Sequence, residues 1–103
     1  MLVAPRGEFE RLAATLRLLM AQAWAVEGCV NCHVSNDLHD PATIHYVEEW
    51  TSEAELQHDM RSERFGRLLE TLELSARPPR VDIQVILASY GLGYVEAVRG
   101  SLS

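Results

Sequence analysis

The segment TIHYVEEWTSEAELQHDM, residues 43–60, joins a predicted strand to a predicted helix and decides the fold. Its first part, Thr43 to Trp50, is dense in β-branched and aromatic residues, which is typical of a strand. Ser52 and Glu55 then form a capping-box pattern, in which the serine oxygen accepts a backbone N–H at the helix start and the glutamate reaches back. A strand therefore ends at Trp50 and a helix begins near Ser52.

A second helix is predicted upstream, over residues 8–24, because apolar residues recur there at steps of three and four. These apolar residues are Phe9, Leu12, Leu16, Leu19, Met20 and Ala23. Gly28 ends this helical region, and the stretch that follows alternates in polarity up to Ser35, as a strand does. Turn formers over residues 36–41 predict that this strand and Thr43 to Trp50 form an antiparallel hairpin.

Downstream, the helix that begins near Ser52 is expected to bend near Arg61 and Ser62, and Ser62 could cap a second segment. Pro78 and Pro79 end it, since neither can continue a helical hydrogen-bond ladder. A last strand is predicted from the alternation of Val81, Ile83, Val85 and Leu87. The arginines of the bent helix are expected on a solvated face: Arg61, Arg64 and Arg67. The tail from Tyr90 to Arg99 has no clear assignment.

With Leu2 to Ala4 counted as a short first strand, the element order is β-α-β-β-α-β. This is the ferredoxin-like split βαβ plan, an α+β fold with both helices on one face of an antiparallel sheet. The 103 residues suit a single domain over residues 1–103. Nothing in the chain covers the other face of the sheet, so a face-to-face homodimer is expected.

Charge and hydropathy exclude several classes of partner. The formal net charge is −6, and all nine basic residues are arginine, so neither a nucleic acid nor an anionic membrane is an expected partner. No apolar run approaches the roughly 20 residues that span a bilayer, and no secretory signal is visible. We expect a cytoplasmic protein with free thiols and a small-molecule partner.

Residues 29–33, CVNCH, match the C-x-x-C-H attachment pattern of a c-type haem. On a regular strand, however, Cys29 and Cys32 would lie about 10 Å apart on opposite faces. A disulfide needs Cα atoms closer than about 7 Å, so the two cysteines could not form one on such a strand. The same separation excludes a haem or a metal ion bound by both thiols. The strand prediction favours two independent thiols over the alternatives, a haem tether or a thiol redox pair.

The histidines of the hairpin suggest a second possible site. If Ser35 pairs with Thr43, His33 faces His45 at a separation that a metal could bridge. Two ligands are too few for a metal site, so we favour a polar or dimer-facing pair and expect no metal.

A small-molecule pocket is the main functional hypothesis. Tyr46, Glu48 and Trp50 share the strand face that meets the helices, and His58 follows in the next helix. A phenol, a carboxylate, an indole and an imidazole that converge there would form a small-molecule site. The alternative is that Tyr46 and Trp50 are core residues, that Glu48 caps a helix or pairs with an arginine, and that His58 lies at the surface. No nucleotide-binding or flavin-binding motif is present.

Residues 28–74 resemble the antibiotic biosynthesis monooxygenase family, which includes quinol monooxygenases. The resemblance rests on Gly28-Cys29, Asp40-Pro41, Glu48-x-Trp50, Ser52, Leu56, His58, Ser62 and Phe65. It runs from about Phe9 to the strand after Pro79. The family's first strand is usually about twice as long as the segment before Pro5.

The resemblance implies a dimeric α+β barrel and, for family members that are enzymes, oxidation of electron-rich phenols or quinols by O₂, often without metal or flavin. It makes His58 the candidate base, Tyr46 and Trp50 pocket walls, and Glu48 a supporting carboxylate. Cys32 stands where many relatives carry a tyrosine and is a further candidate wall.

We therefore expect a cofactor-independent monooxygenase that acts on a small aromatic quinol. The first alternative is a non-catalytic dimer that binds a small hydrophobic molecule or serves as a stress-linked interaction module. A haem-binding pocket is the second.

Overall fold

The computed structural model describes residues 1–86 and 92–100. Its elements are β1 (Leu2–Val3), α1 (Phe9–Trp24), β2 (Cys29–Asn36), β3 (Thr43–Trp50), α2 (Glu53–Met60), α3 (Glu63–Leu72), β4 (Asp82–Val85) and α4 (Leu92–Gly100). This order confirms the ferredoxin-like α+β prediction. It adds α4 within the tail that the sequence left unassigned. Leu87 and Tyr90 lie outside the described residues.

The predicted bend divides the second helical region into α2 and α3, each with its own serine cap. Ser52 Oγ accepts the backbone N–H of Glu55 at 3.2 Å, and Ser62 Oγ accepts that of Phe65 at 3.3 Å. The Glu55 carboxylate accepts from the Thr51 hydroxyl at 2.6 Å. Because the caps satisfy N–H groups that have no partner inside a helix, both helix starts form where the local sequence predicts them.

The sheet is built around β3. β2 and β1 pair with β3 antiparallel, but β4 pairs with it in parallel, from Val47↔Asp82 to Trp50↔Val85. β1 pairs only with Thr43 and Ile44, so residues 47–50 on the same edge of β3 remain available to pair with β4. The expectation of a wholly antiparallel sheet is therefore wrong at this edge. The connection through α2 and α3 returns the chain in the direction of β3, as a βαβ crossover does.

The hydrophobic core lies between one face of this sheet and the helices. α1 buries the face that its periodicity predicts, through Leu12, Leu16, Leu19 and Ala23, against Ile44 of β3 and Leu68 of α3. None of the helices in the described ranges is both long and apolar enough to cross a membrane.

A β-bulge in β2 changes the faces of its residues. Cys32 pairs with Glu48 and Asn31 with Glu49, but Cys29 pairs with Trp50, so Val30 is an extra residue without a partner in the ladder. Cys29 packs against the core, whereas Val30 is exposed. The expectation that Cys29 and Cys32 occupy opposite faces is therefore wrong, because the inserted residue shifts the alternation by one.

The hairpin register also differs from the expected one. Ser35 pairs with His45 and His33 with Val47, so His33 and His45 do not face each other. Residues 31–36 of β2 each pair two positions further along β3 than expected, and two aspartates cap the turn. Asp37 accepts the backbone N–H groups of His39 and Asp40, and Asp40 accepts that of Ala42 and the hydroxyl of Thr43.

Candidate functional site

Six polar or aromatic residues meet in the core between the sheet and the helices. This group, the core polar cluster, comprises Cys32, Tyr46, Glu48, Trp50, Asp59 and Arg64, and no member is more than 7% exposed. Three members alternate along β3, which places their side chains on the same face. Cys32 joins them from β2, Asp59 from α2 and Arg64 from α3.

Glu48 is the centre of the core polar cluster. Its Oε2 accepts the Tyr46 hydroxyl at 2.5 Å and Arg64 Nη2 at 2.9 Å, and its Oε1 accepts the Trp50 indole N–H at 3.1 Å. Three donors therefore hold one buried carboxylate. These bonds offset the large free-energy cost of taking a carboxylate out of water.

Arg64 connects the two helices to the sheet. Besides Glu48, its guanidinium binds Asp59 Oδ2 at 2.5 Å, the Tyr46 hydroxyl at 3.3 Å and the Leu19 carbonyl at 3.4 Å. The expectation that Arg64 lies on a solvated face is wrong, although Arg61 and Arg67 are exposed. α3 begins afresh at Ser62, and its buried stripe runs through residues 64, 65, 68 and 71. The four-residue step from Arg64 to Leu68 is the sequence signal that could have identified it.

Burial and hydrogen bonding shift several pKa values in the core polar cluster. Burial alone lowers the pKa of Arg64, but the Asp59 and Glu48 carboxylates outweigh it, and the pKa lies above its usual range. Burial, with the contacts to Cys32 and Glu48, raises the pKa of Tyr46, and burial raises the pKa of Cys32 to about 11. Tyr46 and Cys32 therefore stay protonated near neutral pH.

The structure brings together four of the five residues predicted for the pocket: Cys32, Tyr46, Glu48 and Trp50. His58 is exposed on α2 and does not join them, because its neighbour Asp59 is the α2 residue that turns inward. Asp59 and Arg64 are the members of the core polar cluster that sequence reasoning missed.

The core polar cluster is closed. In the described part of the chain, every buried side-chain nitrogen or oxygen has a hydrogen-bond partner. One cavity of about 300 Å³ lies outside it, lined by Pro5, Glu8, Arg11, Leu12, Thr15 and Leu74. A smaller cavity of about 150 Å³ opens near the gap between β1 and β4, lined by Met1, His45, Tyr46, Val47, Arg80 and Asp82. Only the smaller one touches the cluster, at Tyr46.

The two histidines of the hairpin strands, His33 and His45, each have a protein side chain as hydrogen-bond partner. His45 Nε2 lies 2.8 Å from Asp37 Oδ1, and His33 Nε2 lies 2.6 Å from Asn31 Nδ2. Within residues 1–86 and 92–100, no three side chains of His, Cys, Asp or Glu are grouped to hold a metal ion.

Comparison with known proteins identifies the family. The model of the family described as antibiotic biosynthesis monooxygenase matches residues 1–71. The crystal structure of PA3566 from Pseudomonas aeruginosa is similar with a TM-score of 0.63 and 30% sequence identity, over 72% of this chain and 75% of that chain. A search of curated proteins finds none that matches. The chain belongs to the antibiotic biosynthesis monooxygenase family.

Proposed function

We propose that this protein is a cofactor-independent monooxygenase that oxidises a small aromatic quinol or phenol with O₂. Family membership supports a small-molecule oxygenase. The observation that carries the proposal is the 2.5 Å contact between the Tyr46 phenol and the Glu48 carboxylate. It is a buried phenol–carboxylate hydrogen bond, so Glu48 can accept a hydrogen bond from a phenolic O–H in the interior.

The chemistry needs a base and a dry environment. Once deprotonated, a quinol is electron-rich enough to donate an electron to O₂ directly. Hydroquinone and O₂ together give hydroxyquinone and water, so the ring supplies all four electrons that O₂ accepts and no further reductant is consumed. The task of the protein is to take the phenolic proton and exclude water from the anion.

Glu48 is the proposed proton acceptor. It already binds a phenolic O–H, and Arg64 and the Trp50 indole hold its carboxylate in place. A substrate hydroxyl would take the position of the Tyr46 hydroxyl on Glu48, with Tyr46, Trp50 and Cys32 as walls. The candidate base predicted from the sequence, His58, is exposed, so a role for it requires substrate to reach the surface of α2.

The active form is proposed to be a homodimer. The sheet face opposite the helices carries a mixture of polar and apolar residues from β2 and β3, including His33, Val47 and Glu49, and no described element packs over it. A second copy would cover this face and complete the α+β barrel. Sedimentation at twice the chain mass of 11.6 kDa supports this proposal, and sedimentation at the single-chain mass contradicts it.

A non-catalytic ligand-binding dimer is the second candidate. The complete hydrogen bonding of the core polar cluster favours it, since a ligand must displace an existing bond to enter. In this case the cluster serves stability, and a small molecule binds without reaction.

Oxygen uptake with a panel of quinols distinguishes the two candidates. We expect turnover in the wild type, loss of it in Glu48→Gln, and wild-type rates in Glu70→Gln, whose exposed side chain on α3 lies outside both the core polar cluster and the proposed dimer face. His58→Ala should keep its activity if Glu48 is the base and lose it if His58 is. Saturable quinol binding without oxygen uptake would support the non-catalytic candidate.

A further inference from the structure

The two cysteines of β2 have no role in the proposed chemistry beyond the wall formed by Cys32, yet the bulge places them on one face. We propose that Cys29 and Cys32 form a modification site, at which hydrogen peroxide oxidises the folded protein to a reversible Cys29–Cys32 disulfide. Both are free thiols in the structure.

The bulge provides the geometry. Cys29 is opposite Trp50 and Cys32 is opposite Glu48, and these two partners are separated by one residue on a regular strand. Their Cα atoms are therefore about 7 Å apart, and the Cα atoms of the cysteines opposite them are separated by a similar distance rather than by about 10 Å. Disulfides span Cα separations up to about 6.8 Å, so a small local shift in the bulge suffices.

The two thiols differ in their access to solvent, and this difference sets their proposed roles in the reaction. Cys29 is half-buried and its thiol donates to the Asn31 carbonyl at 3.5 Å, whereas Cys32 is fully buried. An oxidant from solvent therefore meets Cys29 first. Cys32 is the neighbour that can attack the oxidised sulfur.

The reaction balances with peroxide as the named oxidant. The Cys29 thiolate attacks one peroxide oxygen, the O–O bond breaks, and a sulfenic acid and hydroxide form. Cys32 then attacks the Cys29 sulfur, the S–O bond breaks, and a second hydroxide leaves. With the two thiol protons, the products are one disulfide and two water molecules, and the two sulfurs supply the two electrons that reduce the peroxide.

The thiol environment predicts a slow reaction at neutral pH. Burial and the nearby Glu48 carboxylate raise the pKa of Cys29, and burial raises that of Cys32 to about 11. Because the thiolate is the reacting form, the rate of disulfide formation should increase as pH rises from 7 to 9.

Intact mass spectrometry after peroxide treatment tests the proposal on the native protein. Free thiols are alkylated under denaturing conditions before the measurement. We expect the wild type to lose two hydrogen atoms and to take up no alkyl group, and dithiothreitol to restore two alkylatable thiols. Two remaining thiols, or sulfinic acid on Cys29 with Cys32 still free, would overturn the proposal.

A matched control moves one thiol by one position. Cys29→Ser combined with Val30→Cys places it on the exposed side of the bulge, at a residue that is 50% exposed. This variant should form no internal disulfide under the same treatment, and formation at the wild-type rate would show that the bulge does not select the pair. The readout is mass alone, so the result does not depend on oxygenase activity.

Discussion

Arg64 of α3 donates to Glu48 of β3 at 2.9 Å in the interior, and both side chains are almost fully buried. The same guanidinium binds Asp59 of α2, so the one side chain of Arg64 links β3, α2 and α3. Arg64 therefore pairs with two buried carboxylates, one of which, Glu48, is the proposed proton acceptor. A change at Arg64 is expected to affect both the stability of the fold and the proposed site.

Replacement of Arg64 should be strongly destabilising. Arg64→Met leaves Glu48 and Asp59 buried without their cation, and removal of one partner from a buried ion pair typically costs about 3–5 kcal/mol. The exposed Arg67→Met should change the free energy of unfolding by less than about 0.5 kcal/mol. Urea denaturation of the two variants measures the difference, and similar small effects in both would show that the Arg64 contacts contribute little.

The Tyr46 hydroxyl should be coupled to Glu48. Tyr46→Phe removes a donor to Glu48 and an acceptor for Arg64, and loss of such a buried bond costs about 1–3 kcal/mol. A double-mutant cycle with Glu48→Gln, followed by denaturant unfolding, measures the coupling. Additive effects of the two substitutions would contradict a shared hydrogen bond.

Two glycines should respond to alanine in opposite directions. Gly28 has φ +92°, and a Cβ there collides with the Glu55 carboxylate, whereas a Cβ at Gly66 of α3 meets nothing within 4 Å. Gly28→Ala should lower the melting temperature. Gly66→Ala should raise it, by the equivalent of about 0.5–1 kcal/mol, because alanine favours a helix interior.

The outcome at Gly28 can be divided into its two causes. Because the Glu55 Cβ also lies too close to the new Cβ, at 2.7 Å, Glu55→Gly is the change that removes the collision. Gly28→Ala made in the Glu55→Gly background keeps only the left-handed backbone, so part of the loss should remain relative to Glu55→Gly alone. Full recovery in the double variant would show that the backbone conformation contributes nothing.

The hairpin turn should lose stability in acid. The hydrogen bond from His45, followed by those from the backbone N–H groups of His39 and Asp40, lowers the pKa of Asp37 to about 2. Because the folded-state pKa lies below the unfolded value of about 3.9, the ionised form stabilises the fold above pH 4, and this contribution is lost as pH falls toward 2.

Thermal unfolding of Asp37→Asn measures this dependence. The variant should be less stable than the wild type at pH 7, and the difference should shrink between pH 4 and pH 2. Glu70→Gln, an exposed carboxylate on α3, serves as the control. A difference that is constant across this range would contradict the assignment to Asp37.

Local signals in the sequence predict the helix starts and the inward face of β3. Ser52 and Ser62 cap their helices because a cap depends on three or four consecutive residues, and Tyr46, Glu48 and Trp50 meet because strand alternation is local. The bulge at Val30 was missed because a single inserted residue leaves the apparent alternation intact.

Other features depend on residues that are distant in sequence. Arg64 is buried because two carboxylates bind its guanidinium in the core, those of Glu48, sixteen residues earlier, and of Asp59. The charge of an arginine alone predicts exposure. His58 and Asp59 are adjacent on α2, and which of them turns inward depends on how the helix is set against the sheet. Pairing of β4 with β3 depends on the shortness of β1 at the other end of the chain.

The most direct test of the proposed activity is turnover of a quinol under ¹⁸O₂ with mass analysis of the product. We expect one labelled oxygen atom in each product molecule and one molecule of O₂ consumed per product in the wild type and in Glu70→Gln, with neither in Glu48→Gln. Oxygen consumption that yields hydrogen peroxide and an unlabelled quinone, or no consumption with any quinol, would contradict it.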